Sequence, residues 1–246
     1  MPRKKIAQSK TPELTETSVQ PVDWLKGVYH FHVFHYRMPQ TAAISAVTPF
    51  VPSPLTVKLA MVAALLQLGK HTEAEILTRL LPKIEVHIAP SVAAFSFKAF
   101  LRYCSVPAVE SAGEMDKSSG SFYPSRPHTR EYSLFQGDLV IFLGIPQEAK
   151  SVALDALKNI RYLGCKDSLV WCKEIESINQ SEIQLIVQPL KEQQPGAVVL
   201  LADVKQDATM ELRKIIPGHR KEDYRLEPYT LPGNITTIGR TKLFRR

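Results

Sequence analysis

The order of strand-like and helix-like segments is the feature of this sequence that most restricts its fold. Residues 28–36 are rich in aromatic and β-branched side chains, which favour a strand. Residues 54–69 repeat apolar side chains at helical spacing, after Ser53 as a capping residue. Similar patterns predict a helix over 72–81, strands over 83–88 and 92–103, a strand within 131–145 that is best at 138–143, and a further helix over 147–160. The order strand, helix, strand, strand, helix, strand predicts an α+β chain with a split β-α-β, ferredoxin-like plan.

The first predicted strand has two faces of different character. Tyr29, Phe31 and Val33 alternate onto one face, which we expect to be the core side because it is the more apolar. His30 and His32 alternate onto the other face, which we expect to be an open face of the sheet.

The sequence outside this plan divides into three parts. Residues 1–22 are polar and predict a flexible tail before a domain at 23–170. Residues 105–128 hold few core-forming side chains and predict a long functional or disordered insertion. Residues 171–246 predict an irregular, β-rich C-terminal part with a basic tail. Its predicted features are short strands at 182–187 and 197–203 and a turn-rich segment at 217–233.

Charge and cysteine content narrow the class of protein. The formal net charge of +7 and the pI of about 9.3 favour an anionic partner such as nucleic acid, although an ordinary basic protein has the same balance. Cys104, Cys165 and Cys172 form no CxxC pair, which argues against a disulfide framework and a structural zinc site and favours the reducing cytoplasm. The longest apolar stretch, 59–66, is far too short to span a bilayer.

Three local patterns together resemble the Cas "five" family of CRISPR-associated RAMP proteins. The first is the strand ending in His-Tyr-Arg-Met-Pro at 35–39, followed by the proline-containing loop at 48–56 and the helix after it. The second is Thr-Arg-Glu-Tyr at 129–132, which leads into a strand after a variable insertion. The third is the helix that leads to the Tyr-Leu-Gly turn at 162–164. The resemblance covers residues 28–170.

The resemblance implies a ferredoxin-like (RRM-like) domain with an inserted thumb, here 105–128. It also implies a subunit of a type I Cascade-like effector complex that caps the 5′ handle of the guide RNA (crRNA). Such a subunit contacts the backbone subunit and the large subunit and lies near the PAM-proximal end of the target DNA. Most family members do not cut RNA, whereas one subtype does. The resemblance leaves open whether the complex serves defence or guide-directed transposition.

An RNA handle requires cations for its phosphates and flat groups for its bases. Four local groups of residues meet that requirement, at the first helix, at the exit of the insertion, at the Tyr-Leu-Gly turn and at the C-terminus. Ser53 has the alternative role of a helix cap, and Arg130 the alternative of an ion pair with Glu131. The predicted RNA-binding residues are Arg37, Ser53, Lys58, Phe122, Tyr123, Arg126, His128, Arg130, Arg161, Lys166, Arg240 and Lys242.

The histidines at the first strand define an alternative function. His30 and His32 share a face but His35 points the other way, so the three do not converge on a metal, and we expect no metal or other cofactor. A metal-independent endoribonuclease that processes crRNA is the alternative, with these histidines, Tyr36 and Lys58 supplying acid, base and cation. We otherwise expect a non-catalytic chain, because the sequence contains no nucleotide-binding loop or nucleophile triad.

Overall fold

The computed structural model describes residues 22–34, 45–46, 48–104, 125–191, 195–215 and 223–246. Three α-helices and twelve strands lie in these ranges. In chain order they are β1 (Val22–Phe31), β2 (Ser45–Ala46), α1 (Pro54–Gln67), α2 (His71–Leu80), β3 (Glu85–Ala89), β4 (Ala93–Cys104), β5 (Ser125–Gln136), β6 (Leu139–Pro146), α3 (Lys150–Lys158), β7 (Val170–Ile178), β8 (Gln188–Pro189), β9 (Ala197–Val204), β10 (Tyr224–Leu231), β11 (Asn234–Ile238) and β12 (Thr241–Arg245).

A four-stranded antiparallel sheet with the order β3-β6-β1-β7 forms the centre of the first part of the chain. Among these four strands in chain order, the fourth (β7) lies beside the first (β1), and the third (β6) lies beside the second (β3). This is the ferredoxin-like arrangement predicted from the sequence. The buried Leu25, Tyr29 and Phe31 confirm the predicted core side of β1. The Tyr29 hydroxyl donates a hydrogen bond to the Leu157 carbonyl of α3 at 2.9 Å, which ties α3 to the sheet.

The helix α1 begins and ends where local chemistry predicts. The backbone N–H of Thr56 donates to the Ser53 side chain at 3.2 Å, and Pro54 occupies the first turn. Gly69 follows the helix with a φ of +74°, a left-handed conformation that glycine adopts without steric cost.

A second sheet, with the order β11-β12-β4-β5-β2, is built around the long hairpin of β4 and β5. The two strands pair from Ala93 opposite Gln136 to Cys104 opposite Ser125. The predicted insertion at 105–128 therefore overlaps β5 at its end, and residues 105–124 lie outside the described residues. The strand predicted within 131–145, best at 138–143, is β6, and Gly137, with a φ of +86°, turns the chain between β5 and β6.

The two sheets are joined through the end of the first strand. Phe34 and Ser133 exchange two backbone hydrogen bonds of 2.8 Å, so the chain after β1 pairs with β5. The rings of Phe31 and Phe34 lie 5.2 and 5.7 Å from the ring of Phe135. One face of the β4–β5 hairpin is consequently anchored on the ferredoxin-like core.

The C-terminal part differs from its predicted form. The strand β7 begins at Val170 and is an edge of the first sheet, so the expected domain boundary at 170 falls inside a single structural unit. The predicted strand at 182–187 is wrong, because this segment continues from a short 3-10 turn and packs Ile183 and Ile186 against Trp24 on the outer side of that sheet.

No helix within the described ranges is long and apolar enough to cross a membrane.

Two further segments are more regular than predicted. The turn-rich segment expected at 217–233 contains strand β10, which forms a third sheet with β8 and β9. The basic end forms β12, which pairs with β4 and buries Phe244 completely, with its ring 5.8 Å from that of Phe50. The end of the chain is therefore part of the core and not a frayed tail.

Candidate nucleic-acid interface

The β4–β5 hairpin has two faces of opposite character. Side chains of a strand alternate between faces, so the register of the hairpin assigns each residue to one of them. The inner face is anchored on the core and includes Ala94, Ser96, Glu131 and Ser133, all of them buried. The outer face comprises Ala93, Phe95, Phe97 and Ala99 of β4, Arg130, Tyr132, Leu134 and Gln136 of β5, and Leu243 of β12.

Three aromatic rings follow one another across the outer face. The ring centroids of Phe95 and Phe97 are 6.1 Å apart, and those of Phe97 and Tyr132 are 6.0 Å apart with an interplanar angle of 26°. Phe95 remains 41% exposed although it is a large apolar side chain. We call these three residues the aromatic ladder. A row of flat, partly exposed rings is a surface on which unpaired bases can stack.

Arg130 stands at the end of the ladder, two residues before Tyr132 on the same strand. It is partly exposed, and no ion pair joins it to another residue of the described ranges. The backbone of β5 carries Arg126 and His128 four and two residues earlier, in the same alternating set of positions as Arg130. Of the other residues predicted near the insertion or the first loop, Arg37, Phe122 and Tyr123 lie outside the described residues.

Arg130 and Glu131 do not form the ion pair that was the alternative prediction for Arg130. Neighbouring residues of a strand point to opposite faces, and the Glu131 carboxylate lies on the inner face. There it accepts hydrogen bonds of 3.0 Å from the Thr48 N–H and from the Ser96 hydroxyl, with Lys242 Nζ at 3.7 Å. The hydroxyl of Thr48 also donates to the Glu131 carbonyl at 2.6 Å. Lys242, a predicted RNA contact, therefore pairs with the anchor of the hairpin.

The turn at 161–168 approaches the ladder. The Tyr132 hydroxyl donates to the Asp167 carboxylate at 3.1 Å, which attaches this turn to β5. Arg161 and Lys166 lie in the same turn as Asp167 and are exposed, and their role stays a prediction. Gly164 has a φ of +99° but does not end the helix, because α3 ends at Lys158.

Two predicted RNA contacts are buried in the core. Ser53 is fully buried and caps α1, so it does not present its hydroxyl to a ligand. Lys58 is 1% exposed, and its Nζ lies 2.7 Å from the Asp203 carboxylate of β9. Burial lowers the pKa of the Lys58 ammonium, an effect that Asp203 opposes. Neither residue is therefore part of the candidate interface. Arg240 is exposed in the turn between β11 and β12, and its role stays a prediction.

The histidines of β1 form a separate cluster that the sequence predicted only in part. His30 Nδ1 lies 3.0 Å from the Asp138 carboxylate, which also accepts a hydrogen bond of 2.8 Å from Lys173. The rings of His30 and His32 lie 4.4 and 5.0 Å from the ring of Trp171. The hydrogen bond from Lys173, followed by that from His30, lowers the pKa of the Asp138 carboxyl.

This cluster does not include the other members of the predicted ribonuclease site. Lys58 is buried on the helix side of the sheet, whereas His35 and Tyr36 lie outside the described residues. No group of three or more histidine, cysteine or acidic side chains that could hold a metal ion occurs among the described residues.

The aromatic ladder is the main feature that the sequence analysis missed. Its signal is the alternation of Phe95 and Phe97 in β4 and the position of Tyr132 two residues after Arg130. These residues become one surface only when the register of β4 and β5 is known.

Comparison with known proteins found similarity to CRISPR-associated proteins. The sequence is 27% identical over 165 residues to the CRISPR-associated protein Cas5 of Archaeoglobus fulgidus, which covers 65% of this chain and 67% of that protein. No protein-family model matches the chain. Among solved structures, a CRISPR protein from Archaeoglobus fulgidus aligns with a TM-score of 0.41 and 14% identity over 91% of each chain. A chain of a CRISPR RNA-guided surveillance complex aligns with a TM-score of 0.44 and 10% identity over 85% of this chain and 88% of that chain. The sequence similarity to this Cas5 protein agrees with the resemblance carried by the three local patterns.

Proposed function

We propose that this chain is a non-catalytic subunit of a type I CRISPR effector complex and that it holds the 5′ handle of the crRNA. The observation that carries the proposal is the outer face of the β4–β5 hairpin, where Arg130 lies beside the aromatic ladder. In the complex the chain contacts the backbone subunit and the large subunit, near the PAM-proximal end of the target DNA.

The outer face has both kinds of group that single-stranded RNA requires. Stacking on an aromatic side chain contributes about 1–3 kcal/mol per base and does not depend strongly on base identity. The guanidinium of Arg130 is always charged and both binds phosphate and stacks on bases. The net charge of +7 adds long-range attraction for the polyanion.

The anchoring of the hairpin supports the same role. Glu131 on the inner face is bonded to Thr48 before α1, to Ser96 of β4 and to Lys242 of β12, so the outer face is presented from a fixed base. A binding surface whose groups are already in position loses less conformational entropy when the ligand binds.

The test is a measurement of the affinity of the full chain for RNA carrying the CRISPR repeat sequence, at several salt concentrations. For a single-stranded ligand, the logarithm of the binding constant falls with the logarithm of salt with a slope of about −0.7 per phosphate neutralised. We expect Arg130→Ala to weaken binding and to reduce the slope by about 0.7.

The matched control is Lys205→Ala, which removes a cation that directly follows β9 and is not part of the sheet that contains the hairpin. This variant should keep the wild-type affinity and slope. Equal slopes for Arg130→Ala and the wild type, or equal affinity for unrelated duplex DNA, would contradict the proposal.

The alternative function, a metal-independent endoribonuclease, has one observation in its favour. His30 is oriented by Asp138, and His32 lies at a ring distance of 6.0 Å, so an acid and a base are close together. It predicts cleavage of repeat RNA in the presence of a chelator, and loss of cleavage in both His30→Ala and His32→Ala. Intact RNA at high protein concentration would refute it.

A further inference from the structure

A groove at the base of the hairpin lies on the same face as the aromatic ladder. It has a volume of about 170 Å³, and Phe95, Leu134 and Leu243 form its apolar walls. Ala93 and Gln136, which are opposite each other in the register, also line it. The groove and the ladder share Phe95, so they form one continuous surface.

The size and lining of the groove restrict what it can hold. The groove is partly open to solvent, and its volume of about 170 Å³ is similar to the roughly 150 Å³ of an enclosed apolar cavity that accepts benzene, so it has room for one six-membered ring. The walls are apolar, and the Gln136 amide is the polar side chain of the lining. An amide offers both a donor and an acceptor, which suits the hydrogen-bonding edge of a base.

We propose that the groove binds a single pyrimidine base of the RNA, unstacked from its neighbours, with Gln136 at its hydrogen-bonding edge. The adjoining bases stack on Phe97 and Tyr132, and Arg130 receives the phosphates at the far end of the ladder. The rings of Phe97 and Tyr132, with an interplanar angle of 26°, favour a flat ligand over the branched side chain of a protein partner. This proposal rests on the proposed RNA-binding function, because it assigns one nucleotide position to that surface.

The test combines base removal in the RNA with groove filling in the protein. A series of repeat-sequence RNAs carries one abasic nucleotide each, and the affinity of each RNA is measured with the full chain and with Ala93→Leu. In the wild type, we expect one abasic position to lower affinity by about 5- to 150-fold beyond its neighbours. Ala93→Leu should lower the affinity for the intact RNA by a similar factor. The abasic nucleotide at that position should then cause no additional loss of affinity in this variant.

A second variant keeps the proposal testable if Ala93→Leu does not fold. Gln136 is exposed, so Gln136→Ala should fold, and it should reduce the additional loss of affinity caused by the abasic nucleotide at that same position. RNA binding without any position that responds to the groove variants would overturn the pyrimidine site but leave the proposed function intact. Weakened association of Ala93→Leu with the neighbouring protein subunits, with unchanged RNA affinity, would also overturn it. Failure of the wild type to bind RNA would refute the proposed function itself.

Discussion

The replacement of Glu131 by alanine is expected to destabilise the chain more than a typical single substitution. The carboxylate accepts hydrogen bonds from the Thr48 N–H and the Ser96 hydroxyl, and all three residues are buried. The loss of an acceptor for a buried donor costs about 1–3 kcal/mol for each donor. Glu131→Ala should therefore lower the free energy of unfolding by about 2–6 kcal/mol, a large part of the roughly 5–15 kcal/mol that domains have in total.

The assay is urea unfolding of the full chain, followed by circular dichroism and by tryptophan fluorescence. Glu131→Gln is the matched control, because it keeps the size of the side chain and one carbonyl acceptor but removes the charge that faces Lys242. We expect a loss between that of alanine and zero for this variant. A loss below about 0.5 kcal/mol for Glu131→Ala would refute the anchoring role, since surface substitutions have effects of that size.

Three further predictions concern the core and can be checked by the same unfolding assay. Asp203→Asn leaves the buried Lys58 ammonium without its ion partner and should cost about 3–5 kcal/mol, and a loss below about 1 kcal/mol would contradict that pairing. Tyr29→Phe removes the hydroxyl that donates to the Leu157 carbonyl and should cost about 1–2 kcal/mol, whereas an unchanged midpoint would show that the bond contributes nothing. Burial lowers the pKa of His87 below its ordinary 6.5. As the pH drops, the imidazole is therefore protonated at a higher pH in the unfolded chain than in the folded chain, and the free energy of unfolding falls below pH 6.5. His87→Phe should flatten this part of the pH profile, and an unchanged profile would contradict the burial effect.

The sequence predicted the features of the fold that depend on neighbouring residues. Ser53, Pro54 and Gly69 specify the start and end of α1 by local chemistry, and the structure confirms them. The alternation of β1 likewise predicted its core side, because the side chains of a strand have a period of two. The order of elements was sufficient to predict the ferredoxin-like plan, since few other topologies connect that order with short crossovers.

The features that the sequence did not predict depend on residues that are distant in the chain. Lys58 appears as a solvated cation in the sequence, but its partner Asp203 is 145 residues away. The aromatic ladder requires the exact pairing of Phe97 with Tyr132 across the hairpin. The strand β10 was missed because Pro228 and several charged residues interrupt its apolar pattern, yet it lies between two partner strands.

The central claim, that the outer face of the β4–β5 hairpin contacts the guide RNA, is tested most directly by ultraviolet cross-linking in the assembled effector complex. Aromatic side chains that stack on bases cross-link to them on irradiation, and mass spectrometry of the digested complex identifies the attached peptides. We predict cross-linked peptides of this chain that contain Phe97 or Tyr132. Efficient cross-links to other subunits together with none on either residue, in a complex that retains its RNA, would contradict the claim.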